Sequence, residues 1–560
     1  MRKTFLPLTA LFFALALLFV APHAIGQNNK DRIKRNYDIF SAVVYNLDQN
    51  YVDTIEVQKM FDRALIGLMS PLDPYTVFFD EQETRDFLQT SNGEYGGIGA
   101  YIQKTADEII LSPIEGSPAA QAGLRGGDRL LAADGKDVRG LESEAVTSLI
   151  KGMPGTDVNL RIFRPYVDTD SIFDVTVTRA MLISPTVTYA GVDKDGIGYV
   201  DLTQFSDNSA EEMRKALEGI IADKNLKGLV LDLADNGGGR LEAAIDILGM
   251  FVPKGTTVLT TKGRTKEKSY ATTTNPIVPQ DLPLVVLING NTASASEVVA
   301  GALQDLDRAV LVGKRSFGKG LVQTTLPMPY NTMLKVTTSK YYIPSGRLIQ
   351  AYDYSRRNED GSVKHVPDSL AKAFLTKGGR TVYDGGGLTP DREVPSVEIN
   401  PILYPLYEKN LITDYATKYM ATHPTIASPE EFRITDEIFE DFKEFADVKN
   451  LQYTSEAQDA LKSLRDTLSE KEKADSTVTE QLDMLEQALV RDPEKDIDEA
   501  RSAIEPTLSS IITENYYYAR GRAQNFLNYD KGYKLAKEIL LDKPLYDSIL
   551  SGEEAVSKSK

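Results

Sequence analysis

The strongest constraint on the fold is a strand–turn–helix order that recurs in the middle of the chain. Two unbroken apolar runs, Leu229–Leu233 and Leu284–Ile288, each end in a short polar turn. A helical pattern follows each turn, over Leu241–Phe251 and Ala295–Leu306. Apolar runs without alternation are typical of strands buried on both faces. This order predicts an α/β core, a largely parallel sheet covered by helices, over residues 183–399.

Three further segments differ from this core in composition. Residues 27–92 have helical spacing of apolar side chains, whereas residues 93–182 read as short strands and Gly-rich turns. Residues 400–560 are acidic, rich in Lys and Glu and helix-dominated, and they contain no pattern that indicates chemistry. We interpret this last segment as a helical C-terminal extension, which is either solvated or a surface for a partner. For 560 residues, several domains are expected.

The first residues predict the compartment. Arg2 and Lys3 precede an uncharged, Leu- and Phe-rich stretch, and Ala24-Ile25-Gly26 offers small residues for a signal peptidase. This pattern predicts a signal peptide at residues 1–26 and an exported protein, in the periplasm or cell envelope. The apolar run is nearly long enough to span a bilayer. An uncleaved leader, which would tie the protein to the membrane, is therefore the alternative.

Charge and cysteine content exclude several function classes. With 63 Lys and Arg against 81 Asp and Glu, the net charge is −18. An acidic chain is a poor binder of polyanions, so we expect no nucleic-acid partner. The absence of cysteine excludes disulfides, thiolate metal sites and a cysteine nucleophile. We expect neither a metal nor another cofactor.

A serine-rich turn follows the second apolar run. The segment Asn289–Glu297 leads from the strand into a helix and contains Ser294 and Ser296. A serine at a helix N-terminus lies where free N–H groups and the helix dipole stabilise a developing negative charge. Ordinary N-capping explains a serine there equally well.

A nucleophilic serine needs a base, and histidine is a poor candidate here. Apart from His23 in the leader, only His365 and His423 occur, both in polar stretches far downstream. A lysine can serve when desolvation lowers its pKa enough to leave the amine neutral. Lys319 lies between two glycines, and Gln323, four residues on, could orient the amine. A solvated surface lysine is the alternative.

A nucleotide-binding motif overlaps the same residues. Gly313–Gly320 reads GxxxxGKG, but a phosphate-binding loop requires Ser or Thr where Gly320 stands. Glycine cannot bind the magnesium ion, and an exported protein meets little ATP. The sequence therefore argues against a nucleotide-dependent enzyme.

A glycine-rich turn follows the first apolar run. Asn236-Gly237-Gly238-Gly239 could bring two main-chain N–H groups close to a substrate, because glycine has no Cβ in the way. A tight strand-to-helix turn is the alternative.

Five ordered strings within residues 30–395 resemble the carboxyl-terminal processing peptidases, or tail-specific proteases. They are Asp232–Gly239, Ser294–Asp305, Phe317–Gln323, Lys340–Arg347 and Gly387–Asp391. The segment after residue 400 lies outside this resemblance.

The resemblance implies a serine endopeptidase on a crotonase-like α/β core. Because the family nucleophile precedes Ala-Ser-Glu, it implies a catalytic dyad of Ser294 and Lys319, with Gln323 supporting the lysine. The N–H of Ala295 and of one of the pair Gly238-Gly239 would form the oxyanion hole. One departure is Ala234, where the family usually carries Arg.

Residues 93–182 resemble a PDZ domain, with Gly97, Ile98, Gly99 and Ala100 as its carboxylate-binding loop. Such a loop offers N–H groups to a chain-terminal carboxylate, and the adjoining strand pairs with the peptide. The expected substrates are unfolded or flexible protein C-termini. Whether the protein is a homo-oligomer or needs an adaptor protein stays open. A noncatalytic PDZ scaffold or chaperone that only binds tails is the alternative function.

Overall fold

The computed structural model describes residues 9–92, 94–105, 108–166, 171–358, 361–395, 400–469 and 475–553, with side chains from residue 29 on and none for 89–95. The chain forms two compact units. The first comprises Met1–Asp80 with Thr325–Val336, and the second comprises Glu81–Thr324 with Thr337–Lys560.

The first unit contains two helices and a short strand. These are α1 (Thr9–Asn50), α2 (Val57–Met69) and β1 (Val77–Phe79). Strand β1 pairs antiparallel with residues 333–335, and the rings of Phe40 and Phe61 lie 6.3 Å apart. The sequence read residues 27–92 as helical, so the strand is a departure from that interpretation.

The second unit begins with helix α3 and a β-rich segment that follows it. Its elements are α3 (Glu81–Asn92), β2 (Glu94–Gly97), β3 (Ala100–Lys104), β4 (Ile109–Pro113), α4 (Pro118–Gln121), β5 (Asp128–Ala133), β6 (Lys136–Asp137), α5 (Ser143–Ile150), β7 (Asp157–Arg164), β8 (Ser171–Thr178) and β9 (Ala180–Ile183). The antiparallel sheet has the order β3-β4-β5-β7-β8, with β6 beside β5, while β2 pairs with β9. Strand β3 is therefore an edge of its sheet.

The α/β core comes next in the chain. Its elements are β10 (Val187–Val192), β11 (Ile197–Leu202), α6 (Ser209–Ile221), β12 (Gly228–Asp232), α7 (Leu241–Leu248), β13 (Thr257–Gly263), β14 (Glu267–Ala271), β15 (Leu284–Ile288), α8 (Ala295–Asp305) and β16 (Val310–Gly313). The main sheet has the order β10-β11-β12-β15-β16, and β23 (Arg392–Glu393) pairs with β16 at its end. Strands β11, β12, β15 and β16 are parallel, as the apolar runs predict.

Further strands and two 3₁₀ turns follow β16 in the chain. They are β17 (Leu321–Pro327), a 3₁₀ turn at Pro329–Asn331, β18 (Met333–Tyr342), β19 (Tyr352–Arg357), β20 (Val363–His365), a 3₁₀ turn at Asp368–Leu370, β21 (Ala373–Leu375) and β22 (Thr381–Tyr383). The end of β18 pairs antiparallel with β13.

The remaining chain is helical, as the sequence predicts. Its helices are α9 (Leu403–Glu408), α10 (Leu411–Thr422), α11 (Asp436–Phe445), α12 (Glu456–Thr467), α13 (Ser476–Ala488), α14 (Pro493–Glu499), α15 (Arg501–Phe526), α16 (Lys531–Leu541) and α17 (Lys543–Ser551), with a 3₁₀ turn at Val448–Asn450.

The two faces of the core sheet are covered by different parts of the chain. Helices α6, α7 and α8 bury one face. The other face packs against α16 and α17, where Tyr533, Ile539 and Tyr546 are buried. The Nζ of Lys537 also binds Asp193 at 2.6 Å. The helical extension is thus part of the hydrophobic core, so its description as a merely solvated extension is wrong for these last helices.

Within the described residues, no helix combines the length and the apolar character that crossing a bilayer requires. The predicted signal peptide overlaps the start of α1, and its first eight residues lie outside the described part of the chain.

Candidate active site

The glycine turn and the serine turn meet at one edge of the core sheet. Both follow parallel neighbouring strands, β12 and β15, whose carboxyl ends lie side by side. The N–H of Ala293 donates to the carbonyl of Asn236 at 3.0 Å, and the hydroxyl of Ser296 donates to the same carbonyl at 2.9 Å. These bonds hold the two turns together, and they give Ser296 a structural role rather than a nucleophilic one.

Ser294 has a strained backbone at the start of α8. Its φ of 58° and ψ of −116° lie where L-residues are rare. Such strain persists only where surrounding contacts enforce it, and it is concentrated at functional sites. The residue is only partly buried, in contrast to the fully buried residues that follow it in α8. The turn therefore presents the serine at the surface of the core.

The glycine turn touches the serine directly. A Cβ on Gly238, whose φ is +96°, would lie 2.9 Å from the Cβ of Ser294 and 2.8 Å from the nitrogen of Ala295. Only glycine fits at this position. The N–H of Gly238 already donates to Asn236 Oδ1 at 2.9 Å. Within the described chain, the N–H groups of Gly239 and Ala295 have no protein acceptor, so they are available to a substrate.

Side-chain amides brace the glycine turn beside Ala234, the position where the resemblance leads us to expect Arg. Asp235 Oδ1 accepts from Asn289 Nδ2 at 2.9 Å and from Asn291 Nδ2 at 2.8 Å. The N–H of Asp235 donates back to Asn289 Oδ1 at 3.0 Å. The serine turn thus supports the glycine turn without an arginine.

A third loop, residues 314–320, brings Lys319 to the same place. The N–H of Phe317 in this loop donates to the carbonyl of Thr292 at 3.0 Å. The loop leads into strand β17, whereas a phosphate-binding loop leads into a helix. This geometry agrees with the sequence argument against nucleotide binding.

One buried carboxylate joins the serine turn to the lysine loop. Glu297 Oε2 accepts from the N–H of Ser294 at 2.9 Å and from the N–H of Lys319 at 2.8 Å. Its Oε1 accepts from the hydroxyl of Ser316 at 2.5 Å and from the N–H of Gly318 at 2.7 Å. Burial raises the pKa of Glu297, and the four donors oppose that rise. Both carboxylate oxygens are therefore needed as acceptors.

A tyrosine makes the second link. The phenol of Tyr341, on β18, lies 3.1 Å from the carbonyl of Ser294 and 2.5 Å from the carbonyl of Lys319. The ring is buried. The main chains at Ser294 and Lys319 are consequently held together at their N–H groups by Glu297 and at their carbonyls by Tyr341.

Gln323 lies on β17 and is partly buried, as is Lys319. Its Nε2 donates to Thr337 Oγ1 on the neighbouring strand β18 at 3.1 Å. This hydrogen bond holds the amide nitrogen of Gln323. The strand that carries the glutamine follows directly after the loop of Lys319.

Two acidic side chains, Asp232, which is buried, and Asp201, which is partly buried, lie on the strands that lead to the glycine turn. Asp201 and Asp232 face each other in register on β11 and β12, and Asp232 accepts from the phenol of Tyr199 at 2.6 Å. Asp232 also accepts from the N–H of Ala234 at 2.8 Å. Burial, reinforced by Asp201, raises the pKa of Asp232 well above its ordinary value.

The two histidines are engaged elsewhere. His365 packs against Tyr352 with ring centroids 5.3 Å apart, and His423 stacks on Tyr419 at 3.9 Å. The hydrogen bonds described for Ser294 involve no histidine. Across the described residues, no group of three or more metal-binding side chains converges.

The loop expected to bind carboxylates precedes strand β3. Its carbonyls point inward: Ile98 O accepts from Ala119 N at 2.8 Å and Gly99 O accepts from Ile114 N at 2.9 Å. Gly99 has a φ of +76°, and a Cβ there would lie 2.4 Å from the Cβ of Ser117. In the described part of the chain, the N–H groups of Ile98 and Gly99 have no protein acceptor. Gly97 pairs with Ala180, and Ala100 begins β3 opposite Pro113.

Glu297, Tyr341 and Asp232 were not singled out by the sequence. Glu297 carries a detectable signal, because Ser followed three residues later by Glu at a helix start is a capping-box pattern. Tyr341 and Asp232 lie in strings shared with the processing peptidases, but nothing in their spacing indicates a role.

The chain is similar to known protein families and to known proteins. A model of peptidase family S41 matches residues 196–355, and a PDZ-domain model matches residues 109–164. The carboxy-terminal-processing protease of Bartonella bacilliformis is 35% identical over 355 residues, which cover 62% of this chain and 80% of that protein. The chain belongs to peptidase family S41, among the carboxy-terminal-processing proteases.

A second relative agrees with this membership. The carboxy-terminal processing protease CtpA of Bacillus subtilis is 31% identical over 348 residues, covering 61% of this chain and 73% of that protein. The photosystem II D1 C-terminal processing protease, a solved structure, is 25% identical with a TM-score of 0.33, covering 63% of this chain and 92% of that one. The predicted fold class, an S41-type α/β core with a PDZ domain and a helical C-terminal region, is confirmed.

The helical extension matches a family model of its own. A model described as the C-terminal helical domain of a probable PDZ-protease matches residues 402–540. The sequence placed this segment outside the resemblance to the processing peptidases, and the S41 and PDZ models do not extend into it; its match to a helical-domain model was not anticipated. Helical patterns with Lys- and Glu-rich faces are too common to be specific when read alone.

Proposed function

We propose that this S41 protein is an exported serine endopeptidase that binds protein C-terminal tails through its PDZ domain and cleaves peptide bonds with a Ser294–Lys319 dyad. The observation that carries the proposal is the buried carboxylate of Glu297, which accepts from the N–H groups of both residues. A protein that only bound tails would have no need to join a strained serine to a lysine loop in this way.

In the proposed reaction, a neutral Lys319 amine takes the proton of the Ser294 hydroxyl as its oxygen attacks the peptide carbonyl. The protonated amine then gives the proton to the departing amino group, and an acyl-enzyme remains. Water, deprotonated by the same lysine, releases the acyl product. Gln323 orients the amine from β17.

The developing oxyanion requires main-chain donors close to Ser294. Ala295 N–H supplies one of them. Of the two glycines, Gly238 already uses its N–H on Asn236, whereas Gly239 is exposed and its N–H has no acceptor in the described chain. We therefore assign the second donor to Gly239.

Substrate recruitment uses the loop from Gly97 to Ala100 and the edge strand β3. The unengaged N–H groups of Ile98 and Gly99 fit a chain-terminal carboxylate, and β3 offers its open edge to the residues before it. Export rests on the leader at residues 1–26, and places the enzyme in the periplasm or cell envelope. We retain the domain boundaries at residues 27–92, 93–182, 183–399 and 400–560 as part of this proposal.

The dyad is tested by substituting each member in the mature chain and measuring casein cleavage. Ser294→Ala and Lys319→Ala should each abolish cleavage while the circular dichroism spectrum stays unchanged. Lys319→Arg should also be inactive, because a guanidinium cannot become neutral. A serine-directed fluorophosphonate should label the parent protein and leave Ser294→Ala unlabelled.

The matched control is Lys314→Ala, which removes an exposed lysine from the same loop and should cleave casein normally. Normal turnover by Ser294→Ala or Lys319→Arg would refute the dyad. A protein that binds tail peptides tightly without ever cleaving them would instead be the tail-binding scaffold.

A further inference from the structure

The orientation of one peptide plane decides where the N–H of Gly239 points. The carbonyl of Gly238 accepts from the N–H of Phe205 at 3.0 Å, and Gly239 forms a parallel bridge with Phe205. In a trans peptide, a carbonyl and the N–H that follows it point in opposite directions. The N–H of Gly239 is therefore directed away from Phe205, and it has no acceptor among the described residues.

Close packing fixes this plane from one side only. A Cβ on Gly239, whose φ is +143°, would lie 2.0 Å from the carbonyl oxygen of Phe205. The same carbonyl accepts from the N–H of Arg240 at 2.8 Å. The peptide plane that precedes Gly238 is different, because neither of its residues has a side chain to restrict rotation. That plane needs a hydrogen-bond partner of its own.

The side chain of Asn236 is this partner. It is fully buried, and its Oδ1 accepts from the N–H of Gly238 at 2.9 Å. Its Nδ2 donates to the carbonyl of Leu202, the last residue of β11, at 2.6 Å. The amide thus acts once as an acceptor and once as a donor. Both peptide planes that flank Gly238 are fixed, the first by Asn236 and the second by Phe205.

The main chain of Asn236 reaches the serine turn. Its carbonyl accepts from the N–H of Ala293 at 3.0 Å and from the hydroxyl of Ser296 at 2.9 Å. One residue therefore connects the end of β11, the glycine turn and the serine turn. Its position determines where the N–H of Gly239 lies relative to Ser294.

We propose that Asn236 is the positioning residue of the oxyanion hole, and that its side-chain amide holds the glycine turn in the orientation that directs the Gly239 N–H at the developing oxyanion. This role requires a donor and an acceptor on one short side chain, which an amide supplies. Asn236 does not touch the substrate and acts through Gly239. The inference rests on the proposed acyl transfer at Ser294.

Asn236→Asp tests the donor, because an ionised carboxylate can accept from Gly238 but cannot donate to Leu202. With a short tail-free peptide at pH 8.5, kcat should fall about 10²-fold, while KM should change less than about threefold. Burial raises the pKa of the new carboxyl, and its protonated form restores a donor. The ratio of kcat in the variant to kcat in the parent should therefore rise about tenfold between pH 8.5 and pH 5.5. The dependence on Lys319 is common to both proteins and cancels in this ratio.

Asn525→Asp is the matched control. Asn525, on α15, is also fully buried, and its Nδ2 donates to the carbonyls of Pro429 and Phe432 at 2.9 and 3.1 Å, within the helical extension. This substitution should lower the melting temperature, as Asn236→Asp does, but should leave kcat unchanged. All rates are measured well below the melting temperature of each variant.

Three outcomes would overturn the positioning role: a parent-like kcat for Asn236→Asp at pH 8.5, a loss that is equal at both pH values, or an equal loss in Asn525→Asp. If Asn236→Asp does not fold, Asn236→Ser decides, because one short hydroxyl cannot reach both Gly238 and Leu202. Its kcat should fall at least about tenfold at each pH, and an unchanged kcat would overturn the inference. A parent protein that neither cleaves the peptide nor reacts with a fluorophosphonate would instead refute the proposed function.

Discussion

The candidate active site and the proposed tail-binding loop both contain main-chain N–H groups beside glycine, but the two are held in different ways. At the candidate active site, the buried carboxylate of Glu297 binds four donors from two loops. At the proposed tail-binding loop, main-chain bonds to the carbonyls of Ile98 and Gly99 and the strand pairing at each end hold the turn. Catalysis requires that the reacting groups are held at fixed positions. A bound tail, in contrast, adds hydrogen bonds of its own to the loop, so fewer contacts within the loop suffice.

The largest effect should come from filling the contact between the glycine turn and the serine. Gly238→Ala adds a Cβ 2.6 Å from the carbonyl of Ala293 and imposes a φ of +96° on alanine. Displacing the oxyanion donors should lower kcat by about 10²- to 10³-fold. The measurement is kcat for casein and for a short tail-free peptide, and both should fall. Gly255→Ala, at φ +85° in open space, is the control and should retain activity; equal activity of the two variants would contradict the contact.

Glu297→Gln should have the next largest effect. If the amide nitrogen of the glutamine faced Ser294 and Lys319, two main-chain N–H groups would lose their acceptor. If it turned the other way, the Ser316 hydroxyl could accept from it, but the N–H of Gly318 would still lose its acceptor. We expect a loss of about 1–3 kcal/mol in stability and about 10²-fold in kcat from the displaced dyad. Thermal melting and casein turnover measure the two effects.

Glu212→Gln is the matched control for this substitution in the same core. Glu212 accepts from the N–H groups of Thr186 and Val187 through one oxygen only, so a glutamine can keep both bonds. Stability and turnover should stay close to those of the parent. A Glu297→Gln protein that behaved the same way would show that the carboxylate is not the link between the loops.

Gly99→Ala tests the proposed tail-binding loop. Its Cβ would lie 2.4 Å from the Cβ of Ser117, which should displace the carboxylate-binding N–H groups. We expect about tenfold weaker binding of a free-acid tail, the size of one lost charge-assisted hydrogen bond, with unchanged kcat on a tail-free peptide. Gly140→Ala, at φ +76° in open space, should bind the tail normally. Loss of turnover on both substrates would show that the two sites are not separable.

The smallest expected effect concerns Asp232 and pH. Folding raises the pKa of Asp232 above the value of about 4 that an aspartic acid has in the unfolded chain. The protonated side chain therefore contributes fully to the stability of the fold below pH 4. This contribution decreases as the pH rises and is lost above the folded pKa. Asp232→Asn removes this dependence. Its melting temperature, relative to the parent, should therefore rise by about 2–4 °C between pH 4 and pH 8.

Asp246→Asn, at an exposed position on α7, is the control for this pH series. The difference between its melting temperature and that of the parent should not change with pH. A difference for Asp232→Asn that is equally flat across the range would mean that the buried carboxylate is not protonated in the folded protein.

The sequence predicted the core of the fold because its strands are unambiguous. Leu284–Ile288 is apolar throughout and forms β15 with those bounds. Parallel pairing of such strands places the turns that follow them at one edge, so the meeting of the glycine and serine turns was predictable. Ser294 and Lys319 were found from local context and resemblance, without any knowledge of what joins them.

The contacts that join distant segments could not be predicted in the same way. Glu297 reads as a helix-cap residue, and its bonds to residues 316–319 depend on how a later loop folds back. The pairing of Arg129 with Asp414 spans 285 residues. Local periodicity contains no information about such partners, because it reports only which face of an element is apolar.

The position of α16 and α17 has a consequence for biosynthesis. Strands β12 and β15 belong to a sheet whose second face packs against side chains between residues 533 and 549, among others. These residues come after every strand of that sheet in the sequence. A nascent chain therefore cannot close this face of the sheet until α16 and α17 have been made, although all of the strands have already been synthesised.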